Sequence, residues 1–250
     1  MKLRLIFSLL MILLGGCASV KTNTPGDPLE KLNRPLYSFN RGLDKAILRP
    51  VTKGYQAITP DPVEHGVSHV LGNLEDVITT VNGALQGKLK QSGSDFTRVL
   101  INSTIGIVGI FDVASKWGLK KHDEDFGQTL GYWGIKPGPY LMLPFLGPSD
   151  FRDTWGLVGD YLVNPITYNN NKTLRYSVTG MRIIDTRASL LSLDKQLEES
   201  IDEYAFVRDA YLQNRQYKVY DGDPPTTDDW LEEDDEDDDC IEDNCDEKPE

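Results

Sequence analysis

Two serines sit in settings that begin like the elbow from which a hydrolase presents an activated nucleophile: Gly66-Val67-Ser68-His69-Val70 and Gly147-Pro148-Ser149-Asp150-Phe151. Both lack the closing glycine, and neither is preceded by the strand that a strand-to-helix elbow needs. His65 and His69 are four residues apart, a spacing that sets two imidazoles on one helical face. No glutamate lies between them to act as the base of a zinc hydrolase, so a pair of surface histidines is expected. His122 lies in the polar run Lys121-His122-Asp123-Glu124-Asp125 and is expected to be solvated. Glycine-rich phosphate loops and dinucleotide fingerprints are missing. The residues point to no catalytic set, no cofactor and no metal site.

Cysteine chemistry is more informative. The three cysteines are Cys17, Cys240 and Cys245. Ahead of Cys17 come Lys2 and Arg4, an apolar run from Leu5 to Leu14, and Gly15-Gly16, which together read as an export signal over residues 1–16. Its apolar run falls well short of the roughly 20 residues that span a bilayer. Leu14-Gly15-Gly16-Cys17 resembles a bacterial lipobox, so Cys17 is expected to become the acylated first residue of an anchor and spacer over 17–26. Several acyl chains on one residue hold a protein stably where one chain does not. Ala18, in place of an aspartate, favours the outer membrane. Cys240 and Cys245 are separated by four residues, and in an oxidising compartment a local disulfide is expected, closing a loop too small to add much stability.

The net charge of −13 is unevenly spread. Residues 221–250 hold 17 of the 39 acids and one of the 26 bases, which leaves the preceding 220 residues slightly basic. That body has no long basic run, and the tail repels phosphates, so nucleic acid is excluded as a partner. A block such as Glu232-Glu233-Asp234-Asp235-Glu236-Asp237-Asp238-Asp239 is expected to be a disordered, solvated tail; it lacks the glycine of a calcium loop.

Between anchor and tail, residues 27–220 read as one helical domain. Asp27-Pro28-Leu29-Glu30 has the form of a capped helix start, followed by an apolar face at Leu29, Leu32, Leu36, Phe39, Leu43 and Ile47. Pro35 predicts a kink or a fresh start and Pro50 an end. Val63, Val67 and Val70, then Leu74, Val77, Ile78, Val81 and Leu85, predict two helices parted near Gly72-Asn73. Helices are also predicted around Trp155, Val158 and Leu162, ending at Pro165, and along Val178, Met181, Ile184, Ala188 and Leu191. Ser200 with Glu203 makes a capping box ahead of Tyr204, Val207 and Tyr211. The proline-rich run from Pro139 to Pro148 is expected to be extended. Alternating patterns are nearly absent, a sheet is not expected, and the class is all-α.

One stretch carries more apolar surface than a one-faced helix needs. Val99 to Ala114 is nearly all apolar, interrupted by Asn102-Ser103-Thr104, Gly106, Gly109 and Asp112. It is either a buried core helix or a hairpin dipping into one leaflet. In the second case Ile105, Ile107, Val108, Ile110 and Phe111 contact the membrane.

Phe126-Gly127-Gln128-Thr129-Leu130-Gly131-Tyr132-Trp133-Gly134, then Gly138-Pro139-Tyr140-Leu141 and Leu143-Pro144, resemble the MlaA (VacJ) family of lipoproteins. So do Leu146-Gly147-Pro148-Ser149 with Arg152-Asp153, and Asp27-Pro28-Leu29-Glu30 with Asn33-Arg34, Phe39-Asn40, Leu43-Asp44 and Arg49-Pro50. Asn102-Ser103-Thr104-Ile105-Gly106 with Phe111-Asp112-Val113-Ala114 also fits. The likeness runs from about Asp27 to Tyr211; Lys136 and Asp150 depart from it, and the acidic tail lies outside it. It implies a ring-like, largely helical protein in the inner leaflet of a Gram-negative outer membrane. Such a protein removes stray phospholipid from the outer leaflet, passes it to a soluble periplasmic lipid carrier, and sits beside a trimeric porin.

Gly131, Gly134 and Gly138 lie within eight residues. They make either an ordinary glycine-rich turn or a flexible wall of the lipid path, in which Lys136 draws a lipid phosphate to the opening. Two other classes compete with transport: a scaffold that only holds a partner at the membrane, and a membrane-bound lipid hydrolase. Cys17→Ala is expected to release the protein from the outer membrane or stall its processing. Mass spectrometry of the extracted N-terminus checks this, and an unlipidated terminus or a cut elsewhere contradicts it.

Overall fold

The computed structural model describes residues 27–225, so Cys17, Cys240, Cys245 and most of the acidic tail lie outside the described residues. Helix α1 (Glu30–Leu43) forms on the expected apolar face, but Asp27 does not cap it. The cap residue is Leu29, without a side-chain bond, and the Asp27 carboxylate is buried, accepting from Asn33 Nδ2 (3.2 Å) and the Tyr204 hydroxyl. A buried carboxylate finds better partners there than a frayed helix end offers. The helix runs through Pro35.

Pro50 does not end the segment either. A π-helical turn, Asp44–Leu48, carries the chain into α2 (Arg49–Ile58), with the Arg49 N–H bonded to the Asp44 carbonyl five residues back. Pro50 then falls in the first turn of α2, where its missing N–H costs little. Pro60 precedes α3 (Asp61–Leu85), one unbroken helix rather than the two expected. Gly72-Asn73 is a contact point, not a break: the Asn73 amide donates to Ser103 Oγ (3.0 Å), and a side chain at Gly72 would collide with Lys121.

Helix α4 (Leu89–Thr104) packs back along α3, and the apolar stretch then leaves the helix in turns before the short α5 (Val113–Lys116). The stretch from Val99 to Ala114 is therefore not a continuous core helix. After α6 (Phe126–Tyr132), β1 (Tyr140–Leu143) and β2 (Gly147–Asp150) pair antiparallel, Tyr140 facing Asp150 and Leu143 facing Gly147. This hairpin corrects the expectation of no sheet. Pro148 fits because a strand with one partner has a free edge. Side chains of α1 complete the pairing: Asn33 donates to the Tyr140 carbonyl (2.9 Å) and accepts from the Met142 N–H (2.9 Å). Seven residues on, Asn40 donates to the Leu143 carbonyl (2.8 Å) and accepts from the Phe145 N–H (2.9 Å). Four-residue strands without alternation become legible only through those two amides.

Asp150 caps α7 (Phe151–Val163), whose end meets a 3₁₀ turn (Pro165–Tyr168) before α8 (Lys172–Leu190). A second 3₁₀ turn and α9 (Asp194–Glu199) lead to α10 (Glu203–Val219). Asp202, not Ser200, caps α10; the Ser200 hydroxyl turns back to the Leu197 carbonyl (2.7 Å). Helices α6 and α7 cross backbone to backbone, since a Cβ at Gly156 would lie 2.6 Å from the Gly127 nitrogen. Contacts between elements close a circuit from α1 through the hairpin to α7, then α3, α8 and α2 back to α1.

Asn33→Leu strands a buried carbonyl and a buried N–H, and is expected to destabilise the fold by about 2 kcal/mol or more. Denaturant unfolding in detergent measures this; a loss below about 0.5 kcal/mol would show that the hairpin holds without the amide.

Candidate functional site

Among the described residues the interior is polar. Seven hydrophobic residues are buried against 22 polar or charged ones, while 37 large apolar side chains are exposed. In water this distribution is inverted. In acyl chains it is the stable one, because the solvent meets the apolar exterior and polar groups must satisfy each other inside. No helix among the described residues is long and apolar enough to cross a membrane.

The interior groups are paired network by network. Arg98, 1% exposed, spends its guanidinium on Asp76 (3.3 Å), Asp112 (3.2 Å), the Ser115 hydroxyl (2.9 Å) and the Leu119 carbonyl (2.7 Å). Burial opposes it, but hydrogen bonds from Ser115, Asn102 and Arg98 hold the Asp112 carboxyl below its ordinary range. From this clamp the segment between Thr104 and Asp112 lies along α3, its Ile110 carbonyl 3.1 Å from His69 Nδ1, and leaves Ile105, Ile107, Val108, Ile110 and Phe111 all exposed. Ile107 and Val108 take left-handed backbone angles (φ 53° and 57°), which β-branched residues rarely adopt. The second network joins α6, α7 and α10: Arg215 reaches Asp125 (2.5 Å) and Asp153 (2.5 Å), and the Tyr211 hydroxyl donates to Asp153 (2.5 Å). It holds Asp125 at about 2: burial works against the ion, but Arg215 outweighs it.

A cavity of about 270 Å³ opens among α3, α7, the first 3₁₀ turn and α8. Leu157, Asp160 and Tyr161 on α7 face Arg175, Val178, Thr179 and Arg182 on α8, each set spaced as one helical face. The walls are apolar with a few charges. Asp160 accepts from the Phe126 N–H (2.9 Å) and from Asn82 (3.2 Å), while burial and then the nearby Asp125 carboxylate push it up to about 6. Arg182 faces Glu75 at 3.5 Å.

The residues singled out in the sequence are scattered. Ser68 donates to Asp185, and Ser149 is buried against Thr154 (3.1 Å), so neither serine meets a histidine base. His65 and His69 stack with ring centroids 6.5 Å apart. His122 is not simply solvated: its Nδ1 lies 2.8 Å from the buried Asp95 carboxylate. Among the described residues no group of three or more His, Cys, Asp or Glu side chains is placed to hold a metal. Gly134 (φ +87°) and Gly138 (φ +71°) take backbone angles that favour glycine, in the exposed loop with Lys136 between α6 and β1; Gly131 instead makes room for Arg152 and Val219. None of the four lines the cavity. Asp160, Arg175 and Arg182 escaped the sequence reading, because their spacing is that of any half-polar helix.

Residues 25–218 match the family described as MlaA lipoprotein. The chain belongs to that family. The MlaA intermembrane phospholipid transport system lipoproteins of Shigella flexneri and Escherichia coli are each 38% identical to it, over 89% of this chain and 91% of theirs. A structure solved for the maintenance of bacterial outer membrane lipid asymmetry superposes with a TM-score of 0.70 at 35% identity, covering 77% of this chain and 98% of that one. As a member of the MlaA family the chain is a predominantly helical outer-membrane lipoprotein, of a family that transports phospholipid rather than catalysing a reaction.

Because Asp160 is raised, folding favours its protonated form; charging it costs nothing below its ordinary 3.8 and the full amount above about 6. Asp160→Asn is therefore expected to raise the melting temperature near pH 7.5 and leave it unchanged near pH 3.5. A difference that does not vary with pH contradicts this.

Proposed function

We propose that this MlaA-family lipoprotein takes mislocalised phospholipid from the outer leaflet of the outer membrane and passes it to a soluble periplasmic carrier, seated beside a trimeric porin. The observation that carries this is the inversion of polarity: an apolar exterior that acyl chains solvate, around a paired polar interior. Moving a lipid across such a body requires a polar route for the headgroup and apolar contact for the tails, and no bond is made or broken. A scaffold would need only a sealed hydrophobic core, and the buried set here is mainly polar.

The segment from Ile105 to Phe111 is the membrane-facing edge of the proposal. Its five large apolar side chains are about half exposed; at 1.5–3 kcal/mol for full burial of each, immersion in acyl chains recovers roughly 5 kcal/mol. That is of the order of one acyl anchor, and it offsets the strained turn at Ile107 and Val108. The loop carrying Gly134, Lys136 and Gly138 is the movable rim of the path, with Lys136 free to meet a phosphate. Its base is fixed by bonds from the Phe151 and Arg152 N–H groups to the Pro139 (3.2 Å) and Pro137 (3.1 Å) carbonyls.

The test is transfer of labelled phospholipid from vesicles to an acceptor by the purified full chain. Val108→Glu is expected to lower vesicle association of an unlipidated form by about tenfold, and Lys136→Glu to slow transfer, each with the melt unchanged. Gly138→Ala is expected to slow transfer and to lower the melt, since an alanine there is strained at φ +71° against Phe151. Wild-type protein that moves no lipid overturns the proposal.

A further inference from the structure

Of the ten arginines in the described residues, nine lie within 3.5 Å of a carboxylate. Arg175 is the tenth. It is half-buried, it has no acidic partner among the described residues, and it lines the cavity between α7 and α8. A guanidinium cannot shed its proton to escape poor solvation, so a partly desolvated one calls for an anion. The pattern among the other described arginines makes the exception meaningful: each of those nine has its counter-charge built in.

The same cavity is lined by Asp160 and by Arg182, whose counter-charge Glu75 stands 3.5 Å away, so it presents one unpaired cation, one paired cation and one carboxylate to whatever enters. Its volume, about 270 Å³, falls just below the roughly 300–1,000 Å³ of sites that enclose a drug-sized molecule. It holds a headgroup and excludes two acyl chains. Leu157 and Tyr161 on its wall are themselves exposed, giving an apolar way out to the surface for the chains.

We propose that this cavity is a headgroup subsite for zwitterionic phospholipid, in which the Arg175 guanidinium takes the phosphodiester and the Asp160 carboxylate faces the ammonium end. The planar fork of arginine engages two phosphate oxygens at once, which an ammonium cannot do. An anionic headgroup such as that of phosphatidylglycerol offers the phosphate and hydroxyls but no cation for Asp160, so it binds less well. Free phosphate shares the first contact alone. The inference rests on the phospholipid-transport reading and names which lipid class that transport selects.

The experiment measures binding of short-chain phosphatidylethanolamine, short-chain phosphatidylglycerol and inorganic phosphate to the full chain in detergent, with vesicle transfer measured in parallel. Wild type is expected to prefer the ethanolamine lipid, and inorganic phosphate at equal concentration is expected not to displace it. Arg175→Ala should weaken both lipids by about tenfold, Arg175→Lys should restore only part of that, and Asp160→Asn should erase the preference between headgroups. Three results would overturn the proposal: unchanged lipid binding in folded Arg175→Ala, an unchanged preference in Asp160→Asn, or phosphate displacing lipid one for one, which would make this a free-phosphate site. Wild type that transfers lipid while Arg175→Ala binds normally removes only the headgroup site; wild type that neither binds nor transfers lipid removes the transport reading itself.

Discussion

Arg98 has almost no surface, yet its guanidinium holds four groups on three pieces of chain: Asp76 on α3, Asp112 and Ser115 around α5, and the Leu119 carbonyl beyond it. The packing of α3 on α4, the return of the chain after α4 and the placing of the apolar turn all share that one ion. Asn102 reinforces it, donating to Asp112 (3.1 Å) and accepting from the Ala114 N–H (2.9 Å). Left-handed angles at Ile107 and Val108 cost on the order of 1–3 kcal/mol each. They persist because both ends of the turn are held by charge.

Such a network is a poor source of net stability. Two ions taken out of solvent recover in mutual attraction about what desolvation removed, and apolar replacements often do as well. Its value is geometric: each bond has a direction, and together they fix where the surface must lie around an apolar core as small as the cluster of Tyr140, Met142 and Tyr204. Arg187 shows the same logic on the other side, joining Asp44 (2.7 Å) after α1 to Asp194 (2.7 Å) on α9. Apolar contacts then remain available for the exterior, where acyl chains supply the partner.

Periodicity revealed the helices well, because an apolar face turned to lipid has the same spacing as one turned to a core. For that same reason it did not reveal which way the faces point. Proline misled at Pro50, which follows a π turn that no local rule announces, while Pro35 starts no new helix and is carried within α1. The hairpin escaped because it is completed by bonds from Asn33 and Asn40, more than a hundred residues away. The glycine-rich motif and the loop after it were conspicuous in sequence. The cavity was not, since Asp160 and Arg175 owe their setting to helix packing rather than to neighbours in the chain.

At the crossing of α6 and α7, Gly127 and Gly156 bring backbone against backbone with no side chain between. Side chains act as bearings where helices slide, because rotamer changes absorb small displacements. At the crossing point there are no side chains, and the Phe126 ring on Gly159 is the neighbouring contact. The two helices therefore turn as a single lever, with the loop from Trp133 to Pro139 and the hairpin strung between its arms. Any motion of that loop is local flexing about a fixed fulcrum, and it reaches the cavity only by swinging α7, and Asp160 with it, as one piece.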